Sequence, residues 1–195
     1  MRSIKIYPFL SILIEFGPLV LFIIMSWYFP FMLAVEGLVI TTLLALITSS
    51  IIQKRLALFP LIAGLTIILM GAITLYTEDP FFIIVRDTIF NASLGLIILY
   101  MLNKNNLILK NLFQNTFAIT DKGWRKVSFN WAIWLLLLAT SNQVIGTLYP
   151  LNFWIFFKTC SFGFSILFCI YQFLIAYKEK LPNANIFGLR KKAIN

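Results

Sequence analysis

Six long apolar runs, separated by almost nothing, dominate this sequence. They cover residues 9–29, 31–52, 56–76, 81–102, 127–149 and 152–177. A helix crossing the roughly 30 Å hydrocarbon core of a bilayer needs about 20 such residues. Pro30, Gln53-Lys54-Arg55, Thr77-Glu78-Asp79-Pro80 and Pro150-Leu151 are the links. Links this short force sequential helices to run antiparallel across the membrane. No run alternates polar and apolar residues, as a barrel strand must. The expected fold is therefore all-α, a polytopic transmembrane helical bundle forming a single integral membrane domain over 1–195.

Composition agrees. Hydrophobic residues make up 61% of the 195 residues and charged residues only 12%, about half the share of roughly 25% in a soluble domain. Too few charges remain to coat a soluble enzyme. No cleavable signal pattern precedes the first run. Neither an internal repeat nor a low-complexity tract is visible, so the inverted-repeat mark of many transporters is missing.

The formal charge of +9 invites a nucleic-acid reading until the charges are placed. Arg2 and Lys5 precede the first run, and Lys54 and Arg55 sit between the second and third. Lys104, Lys110, Lys122, Arg125 and Lys126 lie in 103–126; Lys178, Lys180, Arg190, Lys191 and Lys192 lie in the basic tail, 178–195. With six spans and both termini cytoplasmic, 14 of the 16 basic residues fall on the inner side, as the positive-inside rule asks. No nucleic-acid partner is expected. The first run contains Glu15, Gly17 and Pro18, and a proline removes a helix hydrogen bond. Two readings stand: a kinked full span, or a re-entrant element that leaves five full spans.

The 103–126 loop is amphipathic. Leu109, Leu112, Phe113 and Phe117 share one helical face. Either a helix lies on the inner leaflet, or a connector packs a few apolar residues on the bundle. Trp27, Trp124 and Trp154 stand near segment ends, where an aromatic belt forms. Gly64 and Gly71 share a face of the third run, and Ala139 and Gly146 of the fifth, which suits close helix packing in lipid. Cys160 and Cys169, nine apart on one helix, point in opposite directions and cannot bond each other.

Catalytic chemistry is scarce. Histidine is absent, and with it the commonest general base and metal ligand. There is no glycine-rich phosphate loop or nucleophile elbow. Ser161 and Ser165 share a helix with Lys158, but Lys158 is two turns from Ser165, and serines within spans usually bond back to a carbonyl. The expectation is no enzyme, no metal and no cofactor. Intramembrane charge is a functional-site hypothesis by default. Glu36, Asp79, Arg86, Asp87, Asn142 and Lys158 form the candidate polar cluster, expected toward the outer ends of their helices. Lys158 either pairs with Glu36 or Asp87 or snorkels to the interface. If the charges line a path instead, the alternative function is transport of a small solute or ion.

Motifs in succession resemble a known family. Glu15-Phe16-Gly17-Pro18-Leu19 resembles an acidic-x-Gly-Pro-Leu element. Gly71-Ala72-Ile73-Thr74-Leu75-Tyr76, with Asp79 and Phe82-Ile83, resembles a Gly-Gly-Leu-Thr-Leu stretch and acidic turn, and Arg86 follows where that family has a basic residue. Trp124-Arg125-Lys126, Trp131-Ala132 and Asn142 resemble its penultimate span. Trp154, Phe157 and Lys158 resemble a Trp-Val-Asn-Phe-Lys element of its last. The family is that of the intracellular septation protein A, also called YciB. Ala72, Pro80, Ser128, Asn130, Phe156 and Ser161 depart from its pattern. The resemblance implies a bacterial inner-membrane, multi-pass protein of envelope biogenesis, integrity, membrane homeostasis and septation. It implies membrane-protein partners in envelope or division machinery, and no reaction.

Overall fold

The computed structural model describes residues 8–53, 58–114, 116–182, 184 and 189, with side chains described from residue 16 on and not for 52–60. Seven helices follow in order: α1 Pro8–Tyr28, α2 Phe31–Gln53, α3 Leu58–Thr77, α4 Phe81–Asn103, α5 Ile108–Phe113, α6 Asp121–Leu148 and α7 Leu151–Lys178. Only isolated bridges, and no strand, occur among the described residues. The fold is an all-α membrane protein. The basic residues Arg2, Lys5, Lys54, Arg55, Arg190, Lys191 and Lys192, and the side chain of Glu15, lie outside the described residues.

Proline sets three of the helix starts. Pro30, Pro80 and Pro150 each stand one residue before a helix, and their carbonyls accept from Ala34, Ile84 and Trp154 at 3.2, 3.2 and 3.3 Å. A proline has no N–H to leave orphaned there, and it cannot continue the preceding helix. Asp79 adds a cap: its Oδ1 accepts the Phe81 N–H at 2.9 Å. Pro18 sits inside α1, which remains one helix of 21 residues. At 1.5 Å per residue that is about 32 Å.

Asparagine ends α4. Asn105 takes a left-handed φ of 56°, Asn105 N–H donates to Leu102 and Asn106 N–H to Met101. This paired pattern is the Schellman closure, with asparagine in the usual glycine place. Helix α5 then runs for six residues only. It holds Leu109, Leu112 and Phe113, but Phe117 lies beyond it, bridging Leu189. An isolated helix this short is marginal, and backbone pairing with the tail takes over instead. Helix α6 begins at Asp121, so the last residues of the expected loop are helical. Thr120 caps it, its hydroxyl accepting the Gly123 N–H at 3.0 Å.

Four helices are long and apolar enough to cross a membrane over their described residues: Phe31–Ile51, Phe81–Asn103, Asp121–Leu148 and Leu151–Lys178. The described parts of α1 and α3, Phe16–Tyr28 and Leu61–Thr77, are apolar and shorter.

The chain forms two compact units: Met1–Asp87 with Gln143–Lys158, and Thr88–Asn142 with Thr159–Asn195. In the first, Phe22, Ala34, Val35, Leu38, Ile83, Ile84, Trp154 and Ile155 form the core. Glycines let its helices close. A Cβ on Gly71 would strike Val39, and one on Gly64 would stand 2.8 Å from Leu46, so the glycine face of α3 is the face that meets α2. In lipid there is little hydrophobic drive between helices, and such close backbone approach supplies the contact instead. In the second unit Ile119, Trp124, Val127, Ile175 and Ala176 pack together. Further along, the Phe168 ring stacks on Trp134 at 4.8 Å and meets Trp131 edge-on at 5.0 Å. The cysteines are both free.

Candidate functional site

Three of the six candidate residues meet in the first unit. Asp87 accepts from Lys158 Nζ at 2.5 Å through one oxygen and from Arg86 at 2.7 Å through the other. Their side chains are only 11%, 18% and 16% exposed for Arg86, Asp87 and Lys158. Arg86 reaches further. It donates to the Ala63 carbonyl at 2.8 Å and to the Thr66 hydroxyl at 3.1 and 3.3 Å. A guanidinium carries five fixed donors, and this one is spread over a carboxylate, a carbonyl and a hydroxyl. The network ties α3, α4 and the start of α7 together.

The helices bring these groups to one level. Asp87 is the seventh residue of α4 and Lys158 the eighth of α7. At 1.5 Å per residue both lie about 9–10 Å from the first residue of their helix. Trp154, one turn before Lys158, is 1% exposed. Its ring meets Phe22 and Phe31 edge-on at 6.4 and 6.1 Å, so α1, α2 and α7 clamp it. Lys158 Nζ stands 5.6 Å from the centre of that ring, within reach of a cation–π attraction. Gly146 makes room: a Cβ there would press on Ile84 and on Trp154.

The other candidates stand elsewhere. Glu36 is exposed and takes no ion pair among the described residues. The buried face of α2 runs through Val35, Leu38 and Thr42, spaced three and four apart, and Glu36 is about 100° away from Val35. Asp79 is exposed and spent on its cap. Asn142 belongs to the second unit, where it is 2% exposed and donates to the Thr88 hydroxyl at 2.9 Å. Thr66 and the Ala63 carbonyl were not among the candidates. Ala63 and Thr66, three apart, share one face of α3, and an intramembrane arginine needs acceptors within its reach; that demand is the signal that could have found them.

A second polar cluster joins the loop to the tail. Glu179, just past α7, accepts from Lys126 at 2.6 Å and from the Thr120 hydroxyl at 2.9 Å. The Lys126 bond, and then the Thr120 bond, hold its carboxyl below the usual glutamate range. Backbone bonds run alongside, Thr120 N–H to Glu179 and Leu181 N–H to Ala118, both at 2.9 Å. Lys110 and Asp121 form a further exposed pair at 2.5 Å. Ser165 donates to the Ser161 carbonyl at 2.7 Å, the ordinary use of a serine in a span. Among the described residues no three His, Cys, Asp or Glu gather around a point where a metal ion would sit.

Comparison with known proteins matches these features to one family. The family described as "Intracellular septation protein A" matches residues 10–183. The "Inner membrane-spanning protein YciB" of Agrobacterium fabrum is 31% identical over 169 residues, 79% of this chain and 83% of that protein. The protein of the same name from Rhizobium meliloti is 30% identical over 91% of this chain and 92% of its own length. That of Sinorhizobium medicae is 29% identical over 93% and 94%. No solved structure matches significantly. With the match running through every long helix, this chain belongs to the intracellular septation protein A family.

Proposed function

We propose that this chain is a multi-pass protein of the bacterial inner membrane that maintains the envelope through contacts with other membrane proteins or with lipids, in a role linked to septation, and that it catalyses no reaction. Its six long helices cross as six spans, with both termini and the 103–126 loop in the cytoplasm. The observation that carries this reading is how the buried charges are used. Arg86, Asp87 and Lys158 bind one another, Thr66 and the Ala63 carbonyl, which fastens helices together rather than holding a nucleophile against a base. The family's name, and the inner-membrane name carried by its relatives, support that location and the link to septation.

The test is deletion of the gene in its host. Loss should raise sensitivity to detergent and osmotic shock, or disturb division, and the intact gene should restore both. A normal envelope combined with one missing metabolite would contradict the reading. Solute flux in liposomes holding only the purified protein would favour a carrier.

A further inference from the structure

The second unit holds a cavity of about 380 Å³, formed by α5, residues 117–121, the start of α6 and Leu181. That volume falls within the roughly 300–1,000 Å³ of sites that take small ligands. Its walls divide by polarity. Phe117, Ile119, Trp124 and Leu181 supply an apolar side, and Lys110 and Asp121 supply the charges. Ile119 and Trp124 belong to the core of this unit, so the apolar side is fixed in place. The two charged side chains meet at 2.5 Å and are 34% and 73% exposed. An ion pair this open holds weakly, and it can part for a ligand that satisfies both charges.

Depth indicates the source of such a ligand. Helix α6 has 28 residues and is about 42 Å long, about 12 Å more than the hydrocarbon core. Shared between its two ends, that excess leaves residues 121–124 outside the core, in a head-group layer about 5–7 Å deep. The end of α7 lies at the same level, with Ile175 and Ala176 in one cluster with Trp124 and Val127. The charges then name the head group. A bare anion drawn to Lys110 meets Asp121 beside it, and a bare cation drawn to Asp121 meets Lys110. A group carrying one phosphate and one ammonium matches both. The ammonium must also keep its N–H donors to bond a carboxylate, and a trimethylated one has none.

We propose that this cavity seats the head group of a phosphatidylethanolamine of the inner leaflet. Its phosphate meets Lys110, its ammonium meets Asp121, and its glycerol end lies against the apolar side. Soluble phosphoethanolamine carries the same two charges; the depth of the cavity favours the lipid. The proposal rests on the part of the reading above that takes α6 and α7 across the membrane with this end in the cytoplasm. A reporter after Arg125 tests that part alone. A cytoplasmic signal there, with no lipid preference, would reject the site and leave the reading intact.

The experiment compares thermal stability in phosphatidylcholine nanodiscs with and without phosphatidylethanolamine. Both lipids are zwitterionic, so the basic residues of the loop and tail attract them alike. Phosphatidylethanolamine should raise the melting temperature of the wild type by several degrees. Asp121→Asn should lose that gain. Lys104→Met, at a basic residue outside the cavity, should keep it, and loss there too would mark a general effect of surface charge and overturn the proposal. Native mass spectrometry reads the site directly: the wild type should retain phosphatidylethanolamine several-fold over phosphatidylcholine, and Lys110→Met should retain less of it. Soluble phosphoethanolamine is a further arm, and stabilisation by it that is lost in Asp121→Asn would overturn the lipid and assign the cavity to a soluble ligand. Equal stability and equal retention in both lipids would overturn the proposal, as would a preference that survives in Asp121→Asn.

Discussion

Asp87 is the residue on which the buried charges turn. Removing one partner of a buried pair strands the other, and the cost is typically about 3–5 kcal/mol. Asp87→Asn removes the carboxylate that Arg86 and Lys158 share, so it should be the most damaging neutralisation in the first unit. Lys158→Met leaves Arg86 and Asp87 matched and should cost less. Added to Asp87→Asn, it should recover part of the loss, because it removes a stranded charge. Thermal unfolding of the two single variants and the double variant in detergent measures this coupling. Simple additivity would mean that the two side chains do not interact. At this scale the sequence was partly legible. It named the intramembrane charges and left Lys158 with two possible acids or the interface. The choice between Glu36 and Asp87 depends on how α2 is rotated, which an all-round apolar helix hides: apart from Glu36, lipid-facing and core-facing residues of α2 are alike. Arg86's acceptors were harder still, since a backbone carbonyl carries no sequence mark.

The helices were legible because prolines mark several of their starts and, apart from Pro18 within α1, their long apolar runs are continuous. Gly64 and Gly71 were readable as a packing face, and α3 does meet α2 through it. Gly71→Val should therefore force Val39 aside and destabilise the protein by about 1–3 kcal/mol, the usual range for overpacking. Gly163 has open space around the position a Cβ would take, and Gly163→Ala should unfold no earlier than the parent. Equal stability of the Gly71 and Gly163 variants would contradict the packing described. The pairing of the tail with residues 117–120 was not legible, because isolated bridges rest on backbone groups that any sequence supplies. Glu179 anchors that pairing. Its carboxyl is lowered by Lys126 and Thr120, so the charged form is the one that stabilises. A lowered carboxylate stabilises above its ordinary range, and the contribution is lost as pH falls through the lowered value. Hydrogen exchange at the Thr120 and Leu181 amides should thus speed up in Glu179→Gln at neutral pH, and in the wild type as the solution is made strongly acidic. Unchanged protection of both amides in Glu179→Gln would show that the backbone bonds hold without the side chain.

Across the whole chain, distribution of charge decides arrangement. The two basic residues outside the terminal, link and loop clusters are Arg86 and Lys158, the same two that share Asp87. The remaining basic residues give the chain its proposed orientation, and the apolar lengths its proposed six spans. Reporter fusions placed after Lys5, Arg125 and Lys192 test that arrangement most directly. All three should read as cytoplasmic. A periplasmic signal at Lys5 alone would leave five full spans, with the first helix re-entrant; a periplasmic signal at Arg125 or Lys192 would contradict the arrangement outright.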